Sequence, residues 1–116
     1  MSDTKQVYDT ERKITETVAA ITELVPAYAQ ARQVIEYDSD RRKQLLARCV
    51  RSLNGSGSMA QCESEARSSP IYGEELDKLG ESLKSAYEVQ AKWQALMARL
   101  DAARSILALT RETMKL

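Results

Sequence analysis

An all-α protein is what this sequence predicts: a long antiparallel helical hairpin, coiled-coil-like, with a short corner helix, assembling into a helical bundle oligomer. Three observations predict it. Apolar residues recur at alternating steps of four and three over two long stretches, and no run shows the period of two that a strand requires. A turn-rich segment, "LNGSGSMAQCESEARSSPIY", separates those stretches. With 116 residues the chain is read as a single helical domain, 1–116. An elongated helical domain buries less surface than a sphere of equal mass, so partner chains are expected to supply part of the core.

The first helix is expected over about residues 4–53. Val7, Ile14, Val18, Ile21, Val25, Tyr28, Ile35, Leu46, Cys49 and Leu53 fall on one alternating frame, with Glu11, Arg32, Ser39 and Arg42 as its polar members. Pro26 removes an amide donor and crowds the preceding turn, which predicts a kink or short break near Thr22 to Pro26. Asn54, Gly55 and Gly57 end this helix. Ser58 then opens a short one, over about residues 58–68, and Gln61 stands at the spacing of a capping box. Ser68, Ser69 and Pro70 stop it and start the third helix, over about residues 71–114.

From Tyr72 the frame of the third helix lands on Leu76, Leu79, Leu83, Ala86, Gln90, Trp93, Met97, Leu100, Arg104, Leu107, Arg111 and Met114. Gly73 and Gly80 weaken its first turns without breaking the pattern. Both long helices carry a second apolar edge beside the frame: Leu24, Leu45 and Val50 in the first, and Val89, Leu96, Ile106 and Leu109 in the third. A two-helix seam would leave this edge wet, which is the reason for expecting a homo-oligomer, a dimer or higher. Polar residues on the frame, Arg32, Ser39, Arg42, Gln90 and Arg104, are candidates for fixing register or oligomer state.

Catalysis has little to stand on. The chain has no histidine, no glycine-rich loop after a strand and no Ser, Cys or carboxylate constellation of recognisable spacing, so an enzyme is not expected. "NGSGS" lacks the following Lys-Ser/Thr that phosphate cradling needs and reads as a turn. Two cysteines without histidine make a poor metal set, and neither a metal nor a cofactor site is expected. Cys49 and Cys62 lie close enough in sequence for a disulfide to be sterically conceivable. The polar N-terminus, "MSDTKQVYDTERK", is unlike an export signal and no apolar run approaches a membrane span, so a cytoplasmic chain with reduced, buried thiols is expected.

Seventeen basic and seventeen acidic residues exclude a global field toward nucleic acid or anionic lipid. The charges are nevertheless segregated. Residues 1–40 carry four basic and eight acidic groups, whereas 41–56 carry five basic groups and none acidic: Arg41, Arg42, Lys43, Arg48 and Arg51. On a helix Arg41 and Arg48 share a face and Arg51 adjoins them, so three guanidiniums can follow a phosphate backbone. Pairing with Glu63, Glu65, Glu74 and Glu75 folded back across the corner is the plainer expectation. Tyr28, Tyr72 and Trp93 sit on the frames and read as core. Tyr8, Tyr37 and Tyr87 sit off them, and Tyr37 beside Arg41 suits either a protein interface or a stacked base. The charged waist "YDSDRRK" is read first as a register or partner device and second as an anion site, with Tyr37 and the five basic residues as candidate contacts.

Taken as "YAQARQVIEYDSDRRK", then "CESEARSSPIY", then "WQALMARLDAARSILALTRE", the chain resembles, over roughly residues 28–112, the small helical proteins that bacteriophages and prophages encode among their early genes near single-strand annealing recombinases. That resemblance is one of style and order, and no functional residues come with it. It implies an intracellular, non-enzymatic role in phage DNA metabolism in a bacterial host. Three functions are consistent with these readings. One is an accessory protein of recombination or replication that contacts a phage or host protein or single-stranded DNA. The others are an inhibitor of a host defence system or host enzyme, and an oligomer that sequesters a nucleotide through paired arginines.

Overall fold

The computed structural model describes residues 2–53, 55 and 57–115. The chain is an all-α helical hairpin of three helices: α1 (Ser2–Leu53), α2 (Met59–Arg67) and α3 (Pro70–Met114). Asn54, expected to help end the first helix, lies outside the described residues. Around it the turn chemistry is as read. Gly57 has a φ of 145°, a backbone conformation that side chains disfavour, and the Ser58 hydroxyl accepts from the Gln61 amide at 3.2 Å while the Gln61 side chain accepts from the Ser58 amide at 3.2 Å. Pro70 takes the first helical position of α3, where its missing amide hydrogen costs nothing, and the Gly73 amide closes the first turn onto the Ser69 carbonyl.

Pro26 does not break α1, which is helical on both sides of it. Thr22 and Pro26 are both exposed, so the carbonyl that loses its donor lies on the solvated side of the helix.

Two compact units make up the chain, Met1–Ala29 with Val89–Leu116, and Gln30–Glu88. In the first, α1 and α3 run antiparallel. Tyr28 stacks on Trp93 with ring centroids 4.1 Å apart and planes 7° from parallel, and the Arg111 guanidinium donates to the Glu11 carboxylate at 2.6 Å. In the second, Leu45, Cys49 and Ala66 form the core, with Leu46, Val50, Tyr72, Leu76 and Leu79 packed against it. Ala66 has no exposed surface, so α2 covers a side of α1 that a bare helix pair would leave wet. Both cysteines are free. Cys49 is buried in this core and the Cys62 thiol lies 3.8 Å from the Gly55 carbonyl.

Burial along α1 follows two columns of period seven. Val7, Ile14, Ile21, Tyr28, Ile35, Arg42 and Cys49 form one, and it coincides with half of the expected frame. Thr10, Thr17, Leu24, Ala31, Asp38 and Leu45 form the other, one residue before the column expected from apolar content. Val18 and Val25 are instead exposed at 41% and 46%, as are Arg32, Ser39 and Leu53. The correction has a packing reason: Thr10, Thr17 and Ala31 are small, and small side chains let helix axes approach. The Thr10 hydroxyl is satisfied by the Gln6 carbonyl at 2.7 Å, so a polar residue sits in the seam at little cost.

In α3 the expected frame holds from Tyr72 through Ala86 and then loses its place. Buried or half-buried positions continue as Val89, Trp93, Leu96, Leu100, Ala103, Leu107 and Thr110, while Met97, Arg104 and Arg111 are exposed. Two successive steps of three, Leu83 to Ala86 to Val89, insert three residues into the heptad and shift one column. Most of the supposed wet edge, Leu24, Leu45, Val89 and Leu96, therefore belongs to the intrachain seam. Ile106 and Leu109 remain exposed, at 47% and 69%.

This register orders two substitutions. Leu45→Ala, at a position 2% exposed, is expected to cost about 2–4 kcal/mol of unfolding free energy in urea. Val25→Ala is expected to stay within about 0.5 kcal/mol, and the reverse order would restore the apolar frame.

Candidate functional site: a basic stripe on the first helix

Residues Tyr37, Arg41, Gln44, Arg48 and Arg51 advance along α1 in steps of four, three, four and three, which places them on one face. All five are exposed, and the run covers about 21 Å of helix axis. Exposed Asp40 flanks them, four residues before Gln44 and eleven before Arg51. Sequence reading missed Gln44, although its spacing between Arg41 and Arg48 is itself the signal.

Arg42 is not part of this face. It occupies the buried column, and its guanidinium donates to the Asp38 carboxylate at 2.8 Å, with that carboxylate's side chain only 18% exposed. Asp38 lies in the other buried column, so the pair is turned toward the seam of the Gln30–Glu88 unit. The charged waist thus splits by face: Asp38 and Arg42 go inward, while Tyr37, Arg41 and Lys43 go outward. Of the other register candidates, Arg32, Ser39 and Arg104 are exposed and lie outside the intrachain seam, and Gln90 is half-buried.

The expected pairing across the corner does not form. Glu63 reaches Arg67 at 4.0 Å and Glu75 holds Lys78 at 3.1 Å, each within its own helix. Neighbours one turn away need no further ordering of the chain to meet, which favours them over partners across a turn. Among the described residues, no carboxylate lies within 4.0 Å of the charged groups of Arg41, Lys43, Arg48 or Arg51. Part of this basic excess offsets the negative end of the helix dipole, since Arg51 stands in the last turn of α1. Arg41 and Lys43 lie too far from that end to share the effect.

Beside the stripe, Lys43, Leu46, Ala47, Val50 and Arg51 of α1 and Met59 and Glu63 of α2 line a shallow depression. Its floor is apolar, Met59 is 67% exposed, and Lys43 and Arg51 flank it. This surface can hold an anion or a flat apolar group. Among the described residues no group of three or more Cys, Asp or Glu is placed to hold a metal ion, and no helix is long and apolar enough to cross a membrane.

Comparison with protein-family models, with curated proteins and with solved structures finds no match to this chain. The reading of the stripe therefore stands on its own geometry.

The Asp38–Arg42 pair and the stripe are expected to differ in stability terms. Arg42→Ala should lower unfolding free energy by about 1 kcal/mol, and a double-mutant cycle with Asp38→Ala should recover most of that as coupling. Arg41→Ala should change stability by less than about 0.5 kcal/mol. Equal costs at the two positions would contradict the inward and outward assignment.

Proposed function

We propose that this chain is a non-enzymatic helical accessory protein of phage-type DNA recombination or replication, acting in the cytoplasm of a bacterial host as a homo-oligomer. In this reading the outer stripe of α1 holds single-stranded nucleic acid by its phosphates. The observation that carries it is the three exposed arginines of the stripe, Arg41, Arg48 and Arg51, which, like Lys43 on a neighbouring face, have no intrachain carboxylate partner among the described residues. Guanidiniums without an internal ion pair bind phosphate without first having to break one, and Asp40 is the one acidic residue on this side of α1 between Tyr37 and Arg51. Tyr37, 49% exposed at one end of the stripe, offers a ring on which a base can stack. At a stacked rise of about 3.4 Å per nucleotide, a stripe of about 21 Å accommodates about six nucleotides. The stylistic resemblance to phage early proteins encoded beside annealing recombinases supports the same reading.

Fluorescence anisotropy with a labelled single-stranded oligonucleotide tests it. Three phosphate contacts predict a slope of log affinity against log salt of about −2. Replacing Arg41, Arg48 and Arg51 together by Ala should abolish that slope while circular dichroism keeps its helical signal. An oligonucleotide that ignores the wild-type protein at low salt would refute the nucleic-acid reading and turn the stripe and its neighbouring depression toward a protein partner.

A further inference from the structure

The unit formed by Met1–Ala29 and Val89–Leu116 carries a second unpartnered surface, on the side of the helix pair away from the Glu11–Arg111 ion pair. Three adjoining depressions follow it, and Arg99 lines all of them. The first is bounded by Lys5, Asp9 and Ile106, the second by Lys13 and Glu16, and the third by Glu23, Leu24, Lys92 and Leu96. Together they make a groove whose floor is set by Thr10, Thr17, Ala20, Ala95 and Ala103. From Lys5 to Leu24 it spans about 28 Å of α1.

The two rims of this groove are charged differently. On α1, Asp9, Glu16 and Glu23 recur every seven residues with Lys5 and Lys13 between them, and Glu16 also holds Arg12 of its own helix in an exposed pair at 3.8 Å. On α3, Lys92 and Arg99 stand at the same spacing. Their levels match: Glu16 lines the same depression as Arg99, and Glu23 the same one as Lys92. Among the described residues neither Lys92 nor Arg99 has a carboxylate within 4.0 Å.

We propose that a second copy of this chain occupies the groove, related by a two-fold axis running along it. Such a rotation lays α1 of one copy over α3 of its partner, antiparallel and at unchanged level. Glu16 and Glu23 then face Arg99 and Lys92 of the other copy twice over, and Leu24 comes to lie over Leu96. Rotation about an axis across the groove would instead set α1 on α1 and bring the acidic columns together, which like-charge repulsion disfavours. A face about 28 Å long and two helices, about 20 Å, wide buries on the order of 1,100 Å² in all, near the lower bound for a specific interface. At that size a concentration-dependent dimer is expected. This assignment rests on the homo-oligomer reading above and is independent of nucleic-acid binding by the stripe.

The test is light scattering coupled to size exclusion on the full chain across the micromolar range, with circular dichroism as the check on folding. Wild type is expected to be a dimer at the high end of that range. Arg99→Glu and Glu16→Arg are each expected to be monomeric with unchanged helical signal. The double variant carrying both changes, and an equimolar mixture of the two single variants, are expected to dimerise again. A wild-type chain that stays monomeric throughout would overturn both the oligomer and this interface. A dimer indifferent to Arg99→Glu but dissociated by Val25→Glu would overturn the interface alone by placing it on the opposite face. Oligonucleotide anisotropy on the Arg99→Glu variant separates this proposal from the other, because the stripe should still bind DNA, with the salt slope unchanged.

Discussion

Close approach of two long helices along columns of small side chains is the constraint on which the rest of this structure depends. Thr10, Thr17 and Ala31 on α1 and Ala86, Ala103 and Thr110 on α3 are all buried, yet none of them is large. Among the described residues no large side chain is buried below 2% exposure. The helix pair therefore gains its burial from many partly covered Ile, Leu, Tyr and Trp side chains rather than from a sealed centre. Tyr28 stacked on Trp93 is one such contact. In the Gln30–Glu88 unit the short α2 changes this balance, because Ala66 closes over Leu45 and Cys49 and lets Leu46 and Val50 join the buried face.

Charge is arranged around that seam rather than along the chain. Asp38 and Arg42 satisfy each other at the seam, Glu11 and Arg111 tie α1 to α3, and Glu63 and Glu75 are taken by neighbours one turn away. Among the cations left without a carboxylate within 4.0 Å in the described residues, two groups stand out by their position: the outer stripe of α1 between Arg41 and Arg51, and Lys92 with Arg99 on one rim of α3. The two differ in character. The stripe sets three arginines against Asp40 and Glu63 at its edges and suits an external polyanion, whereas Lys92 and Arg99 stand level with Glu23 and Glu16 of the same unit and suit a copy of this chain. A net charge of zero conceals both surfaces.

Much of this was legible in the residues alone. Alternating four-three spacing, the Ser58–Gln61 box and Pro70 at a helix start are local features, and local hydrogen bonding and sterics suffice to produce them. The column through Val7, Ile14, Ile21 and Tyr28 was equally legible because both apolar content and burial select it. Its companion was not. Val18 and Val25 outweigh Thr17 and Leu24 on hydrophobic content at those turns, but helix separation rewards small side chains on the line of closest approach. The shift at Ala86 to Val89 escaped for a similar reason, since Met97 continues the pattern plausibly and yet lies exposed while Leu96 is half-buried.

By itself, then, the sequence determined that the chain is three helices, where each begins and ends to within a few residues, and that basic residues collect on the second half of α1. Those outcomes follow from interactions spanning four residues or fewer. Tertiary structure alone decided which flank of each helix is buried, that Arg42 leaves the basic face for Asp38 while its neighbours stay free, and that an acidic column of α1 stands level with basic residues of α3. Each of these depends on what the opposite helix presents at the same height, a distance in space that no spacing along one chain encodes.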